Sequence, residues 1–146
     1  MKKIIITFIL MFSILPSFAQ LVELAPELNE EIEQLNFNDK DVMDKLSEYF
    51  LRGADIGRSF QYGETLLMRA CTANHLPAAK YLLEKGLDPN AQFDDGSGNC
   101  LTIAIREQNP AMVRLLLEKG ADVNINMNNT SVLHEACFFQ ESEKRN

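Results

Sequence analysis

The chain has 146 residues, 46% of them hydrophobic and 24% charged, with a formal net charge of −7. That length holds one domain, and the acidic balance makes nucleic acid a poor partner, because phosphate binding needs a basic patch. Three cysteines and two histidines are few, and neither histidine stands at a metal-ligand spacing from another His or Cys.

The chain opens MKKIIITFILMFSILPSFAQ. Lys2 and Lys3 make a positive start. Ile4 to Leu15 is an apolar run broken only by Thr7 and Ser13, and Ser17 and Ala19 are small residues at the cleavage positions. This is the pattern of a secretory signal peptide over residues 1–19, cut between Ala19 and Gln20. The run is shorter than the ~20 residues that span a bilayer. No stable membrane insertion is expected after cleavage, and an uncleaved anchor is the weaker alternative. The short Lys-Lys signal fits bacterial export, to the periplasm or the outside. Removing residues 1–19 takes away two lysines and no acid, so the charge moves from −7 to −9. Such a charge keeps an exported protein soluble. It also favours encounter with a basic protein partner.

Residues 20–57 read as an N-terminal capping unit. Leu28, Ile32 and Leu35 lie on one face of a short helix, and Val42, Leu46, Tyr49 and Phe50 on one face of a longer one. Residues 58–90 and 91–124 each hold a short helix followed by a longer one. The short helices begin TLLMRA at Thr65 and NCLTIA at Asn99, both good N-caps. The long ones carry apolar stripes at Leu76, Ala79, Leu82 and Leu83, then at Met112, Val113, Leu116 and Leu117. Asn109 and Pro110 suit the start of the second long helix. Residues 125–146 open with a turn, INMNN, and a third short helix, SVLHEA, from Ser131. Only Glu143 to Asn146 stand where its long partner belongs, so an incomplete last unit is expected.

One phrase recurs through these units: LRGADIG, LEKGLDPN and LEKGADVN, with Gly53, Gly86 and Gly120 spaced 33 and 34 residues apart. A fixed period in this range signals stacked supersecondary units. Each glycine stops a long helix, where a left-handed backbone is needed. Arg52, Lys85 and Lys119 are expected in the last turns, suiting the negative helix end.

SVLHEA and TLLMRA resemble the ankyrin motif T-P-L-H-x-A, and VRLLLEKGADVN is close to that family's consensus. The resemblance covers about Asn38 to Gln140. It departs at the motif proline, which is Leu66, Cys100 and Val132, and at the motif histidine, which is Met68 and Thr102 before His134. It implies an all-α solenoid of stacked helix–turn–helix units with beta-turn fingers, about three repeats plus a partial fourth. It also implies a concave face for protein partners, built from fingertips and short helices. On this chain the face would hold Gln61, Tyr62, Glu64, Thr72 and Ala73 in the second unit. The third would add Phe93, Asp94, Asp95, Arg106 and Glu107, and the fourth Met127, Asn128, Phe138 and Phe139. For Tyr62 and Phe93, packing within the finger competes with partner contact. For Phe138 and Phe139 the alternative is packing into the end of the stack. His134 is expected to orient its turn by hydrogen bonding.

No catalytic constellation is evident. Asp94–Asn99 lacks the ligand pattern of an EF-hand and the lysine of a P-loop, so a plain turn is expected, and valine at Gly98, in a finger, is expected to matter less than valine at Gly120. Cys71, Cys100 and Cys137 read as small core residues. Cys71 and Cys137 stand two repeats apart, about 20 Å in a solenoid, too far for the ~7 Å Cα separation of a disulfide. No enzyme activity and no cofactor are expected. The expectation is an exported, monomeric protein-binding module. Three alternatives stay open: an inhibitor or immunity protein of a toxin or hydrolase, a structural accessory of an envelope complex, or an inactive truncated remnant.

Overall fold

The structure is a computed structural model that describes residues 28–127 with 130–132, 134 and 136; side chains at 126, 127 and 130 are not among the described parts. Residues 1–27, which include the expected signal segment, with Asn128, Cys137, Phe138, Phe139 and the polar tail from 140 to 146, lie outside the described residues.

Among the described residues, six helices precede the last finger. They are α1 (28–33), α2 (Val42–Leu51), α3 (Leu66–Thr72), α4 (Leu76–Glu84), α5 (Cys100–Arg106) and α6 (Pro110–Glu118). The short helices α3 and α5 pack on each other, as do the long helices along the series α2, α4, α6; each short helix also packs on the long helix that follows it. The result is two layers of helices with one continuous core. The predicted all-α repeat architecture is observed.

The caps explain where the helices begin. Thr65 Oγ1 accepts the Met68 amide at 3.3 Å, and Asn109 Oδ1 accepts the Met112 amide at 3.0 Å. Asn99 and Thr102 close a reciprocal capping box, each side chain accepting the other's amide at 3.0 Å. His75 Nδ1 accepts the Ala78 amide at 3.1 Å. That histidine is therefore a cap, held by its own turn. Ser131 Oγ accepts the His134 amide at 3.3 Å, so the last short helix starts as predicted, while the His134 side chain is exposed.

The three phrase glycines have φ of 80°, 90° and 91°, the left-handed backbone their spacing implied. Arg52, Lys85 and Lys119 occupy the C-cap positions, just past the last turn in which they were expected. In the turns between short and long helices, Asn74 (φ 54°) and Gln108 (φ 52°) are left-handed residues that are not glycines.

The core holds Leu67 and Leu101 of the motifs, Leu46, Leu82, Met112 and Leu116 of the long helices, and Leu28, Ile32 and Leu35 of the cap. Burying one such side chain contributes about 1.5–3 kcal/mol. The end residues of the predicted stripes do less: Phe50 is 39% exposed and Leu117 is 44% exposed. Phe50 instead lies under Lys85, whose Nζ is 3.8 Å from the ring centroid, a cation–π contact between successive units.

The recurring Asp of the phrase has a local role. Asp55, Asp88 and Asp122 each accept the amide two residues on, at 3.1, 2.8 and 2.8 Å. Such Asx turns shape the exit from each long helix. The Asn that follows reaches across units: Asn90 Nδ2 donates to Gly120 O at 3.1 Å, and Asn90 Oδ1 accepts the Asp122 amide at 2.8 Å. Gly57 stands where Asn90 stands one unit later, so this bridge has no counterpart from that position.

Candidate functional site

The fingers are the segments between one long helix and the next short helix. Each is closed by antiparallel pairing: Ser59 with Thr65, Gln92 with Asn99, and a two-stranded hairpin of β1 (Asn126–Met127) and β2 (Thr130–Ser131). Adjacent fingers touch. The Asp94 amide donates to the Tyr62 carbonyl at 3.0 Å, which sets Gln61, Tyr62, Asp94 and Asp95 side by side.

Tyr62 sits in a single 3-10 turn, Gln61–Gly63, with φ 64° and ψ 24°. A left-handed backbone is costly for a bulky side chain. Its ring gains nothing from burial, being 73% exposed. The alternatives for the two finger aromatics therefore resolve differently. Tyr62 projects outward, whereas Phe93 is half-buried and packs against the core.

Other predicted face residues are engaged inside the protein. Glu64 Oε2 accepts from Arg69 Nε at 2.7 Å, so it is committed to an internal pair. Arg69 also donates to the Glu33 carbonyl and stacks on Phe60, 4.4 Å from the ring centroid. One guanidinium thus ties α1, the first finger and α3 together. Its motif position is merely "x", so spacing could not reveal it. Thr72 Oγ1 donates to Met68 O at 3.1 Å. Asp95 Oδ1 accepts the Ser97 amide at 2.8 Å, and bonding to Ser97 holds the Asp95 carboxyl below the usual range. Asp94–Asn99 is a plain turn, as expected.

Arg106 and Glu107 are exposed at the end of α5. The Glu107 carboxylate accepts from Asn74 Nδ2 at 3.5 Å, and Asn74 Oδ1 accepts from Asn109 Nδ2 at 3.1 Å. Met127 falls in β1. Asn128, Phe138 and Phe139 lie outside the described residues, so of the fourth-unit part of the predicted face only the Met127 backbone is placed.

Two concavities flank this surface. One, of about 350 Å³, opens between the cap and the second unit. Leu35, Phe37 and Ala73 give it an apolar part; Asn36, Asn38, Glu64 and Thr72 give it polar groups. Sequence reasoning missed the two cap asparagines because that segment has no repeat to align. The other, of about 570 Å³, is an apolar groove between α5 and α6, lined by Ile105, Pro110, Val113 and Leu117 among others. No group of three or more His, Cys, Asp or Glu able to hold a metal occurs among the described residues.

One correction concerns α5. Gly98 is not an open finger position: a Cβ there would lie 3.3 Å from Thr102 Oγ1, against the capping box. Cys71 and Cys100 are buried core residues with free thiols, as expected. Cys71 nearby, followed by burial, holds the Cys100 thiol far above its usual range.

A family model of ankyrin repeats in three copies matches residues 34–127. The match covers more than half of the chain, which therefore belongs to the ankyrin-repeat family. Among curated proteins, human "NF-kappa-B inhibitor epsilon" is similar, 33% identical over 84 residues. The similar region is 51% of this chain and 17% of that relative's length. Repeats of this family form protein-interaction modules, and the resemblance to an inhibitor supports the same class here.

Proposed function

We propose that this chain binds a protein partner through its fingers and short helices, with Tyr62 as the central anchor. The observation that carries this is the strained, outward Tyr62. An exposed aromatic held at φ 64° does nothing for the fold, and backbone strain of this kind collects at functional positions. Aromatic anchors dominate protein interfaces. Asp94 and Asp95 beside it, and the net charge of −7, favour a basic partner surface. The module acts by occupying its partner's surface rather than by chemistry.

The first twenty residues support export to the periplasm or the outside of a bacterial cell. N-terminal sequencing of the exported protein then begins at Gln20; retention of Met1 to Ala19 refutes this. The inhibitor version of the reading is favoured by the similarity to human NF-kappa-B inhibitor epsilon: a bound partner enzyme or toxin would lose its activity.

The test of the binding face is a calorimetric titration against a partner captured from the native host. Tyr62→Ala weakens binding tenfold or more, while Lys80→Ala, on a long helix, leaves it unchanged. The reverse pattern overturns the assignment.

A further inference from the structure

We propose that the apolar groove between α5 and α6 is the docking site of this chain's own residues 137–141, with the Phe139 ring as the group that fills it.

The groove is an open stacking position. It has a volume of about 570 Å³, and Ile105, Pro110, Val113 and Leu117 give it apolar walls. One repeat earlier the same positions are covered. Leu83, the counterpart of Leu117, is 8% exposed, and Ala79, the counterpart of Val113, is fully buried, because α6 packs on α4. Leu117 itself is 44% exposed. An apolar group seated there removes that surface from water.

The stacking step decides which group arrives. Glu107 and Asn109 of the third unit both bond Asn74 of the second: Asn74 Nδ2 donates to Glu107 Oε2 at 3.5 Å, and Asn109 Nδ2 donates to Asn74 Oδ1 at 3.1 Å. One repeat on, the counterpart of Asn74 is Gln108. It has the same left-handed backbone, φ 52° against 54°, and it lines the groove. Counted from the caps Asn99 and Ser131, the counterparts of Glu107 and Asn109 are Phe139 and Glu141. The same step therefore brings Phe139 and Glu141 to Gln108. The described residues show that step begun. Ser131 caps the last short helix, and Val132 is buried, as Leu66 and Cys100 are at that position. Ala136 is helical and half-buried, and its counterpart Ala104 lines the groove. Three residues of helix, roughly 4.5 Å, separate Ala136 from Phe139, so no linker is needed.

Residue type agrees with position. At Glu107 the adjoining face of α4 is already covered by α6, so a charged side chain suits it. At Phe139 the adjoining face of α6 carries the exposed Leu117, so an apolar ring suits it. Between the cap and the second unit, Ala73 stands in the same register as Phe139 and lines the smaller concavity. Residues 140–146, QESEKRN, are all polar, so they keep the segment in water beyond the ring. The inference does not rest on the proposed partner; it takes Phe139 off the partner face.

The chain has no tryptophan, so Phe139→Trp places a single reporter in the full-length protein. Its emission is excited where tyrosine does not absorb and quenched with acrylamide, on protein whose circular dichroism matches wild type. The expected result is blue-shifted emission and a quenching constant less than half that of the urea-unfolded chain. Both hold on dilution, with sedimentation showing a monomer. Leu117→Asp in the same background, its fold intact by circular dichroism, returns both to the unfolded values, while Lys80→Asp on α4 leaves them unchanged. Quenching at position 139 as strong as in the unfolded chain overturns the proposal. So does protection that Leu117→Asp does not alter, which seats the ring elsewhere, or protection lost on dilution, which gives the groove to a second copy. Where Leu117→Asp does not fold, nuclear Overhauser contacts from the ring at position 139 to the Ile105 and Val113 methyls decide the question, and their absence overturns the proposal.

Discussion

Gly63→Ala is expected to uncouple the fingers. Gly63 is buried with φ 75°, and an added Cβ would lie 2.6 Å from Asp94 Oδ1 and 2.8 Å from the Asp94 amide nitrogen. The carboxylate can turn aside, but the amide belongs to the neighbouring finger and donates to Tyr62 O at 3.0 Å. The left-handed backbone costs an L residue about 1–2 kcal/mol. Losing the finger-to-finger hydrogen bond adds about 0.5–1.5 kcal/mol, for a combined loss of about 1.5–3.5 kcal/mol. Gly120→Ala separates the two contributions. Its φ is 91°, yet a Cβ there meets nothing within 4 Å, so only the backbone cost of about 1–2 kcal/mol applies. Urea unfolding followed by circular dichroism gives the difference from midpoints at a common slope. Equal losses for the two variants would refute the claim that Gly63 is required by the close approach of the next finger.

Three further outcomes are expected. Tyr62→Gly relieves the strain at φ 64°, so the melting temperature holds or rises while partner affinity falls tenfold or more; a lower melting temperature would show the ring to be structural. Asn99 is fully buried and its Nδ2 has no hydrogen-bond partner. Asn99→Thr keeps the cap, as Thr65 does one unit earlier, and removes the orphan donor, raising stability by about 1 kcal/mol; a reduced urea midpoint would count against it. Asn90→Ala removes both bonds to the next unit and costs about 1–2 kcal/mol, with faster hydrogen exchange at the Asp122 amide; unchanged exchange there would mean that the bridge is not formed in solution.

Periodicity was enough to locate the helices, their caps and their glycine stops, because those features obey rules that run only a few residues along the chain. Thr65, Asn99 and Asn109 cap as their identities require, and Gly53, Gly86 and Gly120 take the backbone that other residues resist. The candidate face was legible as a set of positions but not as a set of roles. Tyr62 and Phe93 were matched as finger aromatics, yet one is 73% exposed and the other packs on the core. Glu64 looks like a free fingertip acid until Arg69 is found against it at 2.7 Å.

What the sequence determined by itself is therefore the repeat: its period, its helices, and the polarity of each helix face, all set by local backbone sterics and by spacing. What only the tertiary structure decided is which residues of different repeats meet. Arg69 reaching Glu33, and Asn90 bridging to Gly120 and Asp122, are contacts across 30 to 36 residues. Both run from side chains whose types are ordinary in a loop or on a helix surface. The physical reason is the stacking step. A shift of one repeat brings a position close to its counterpart in the next unit, and the identity of the residue found there follows no local rule.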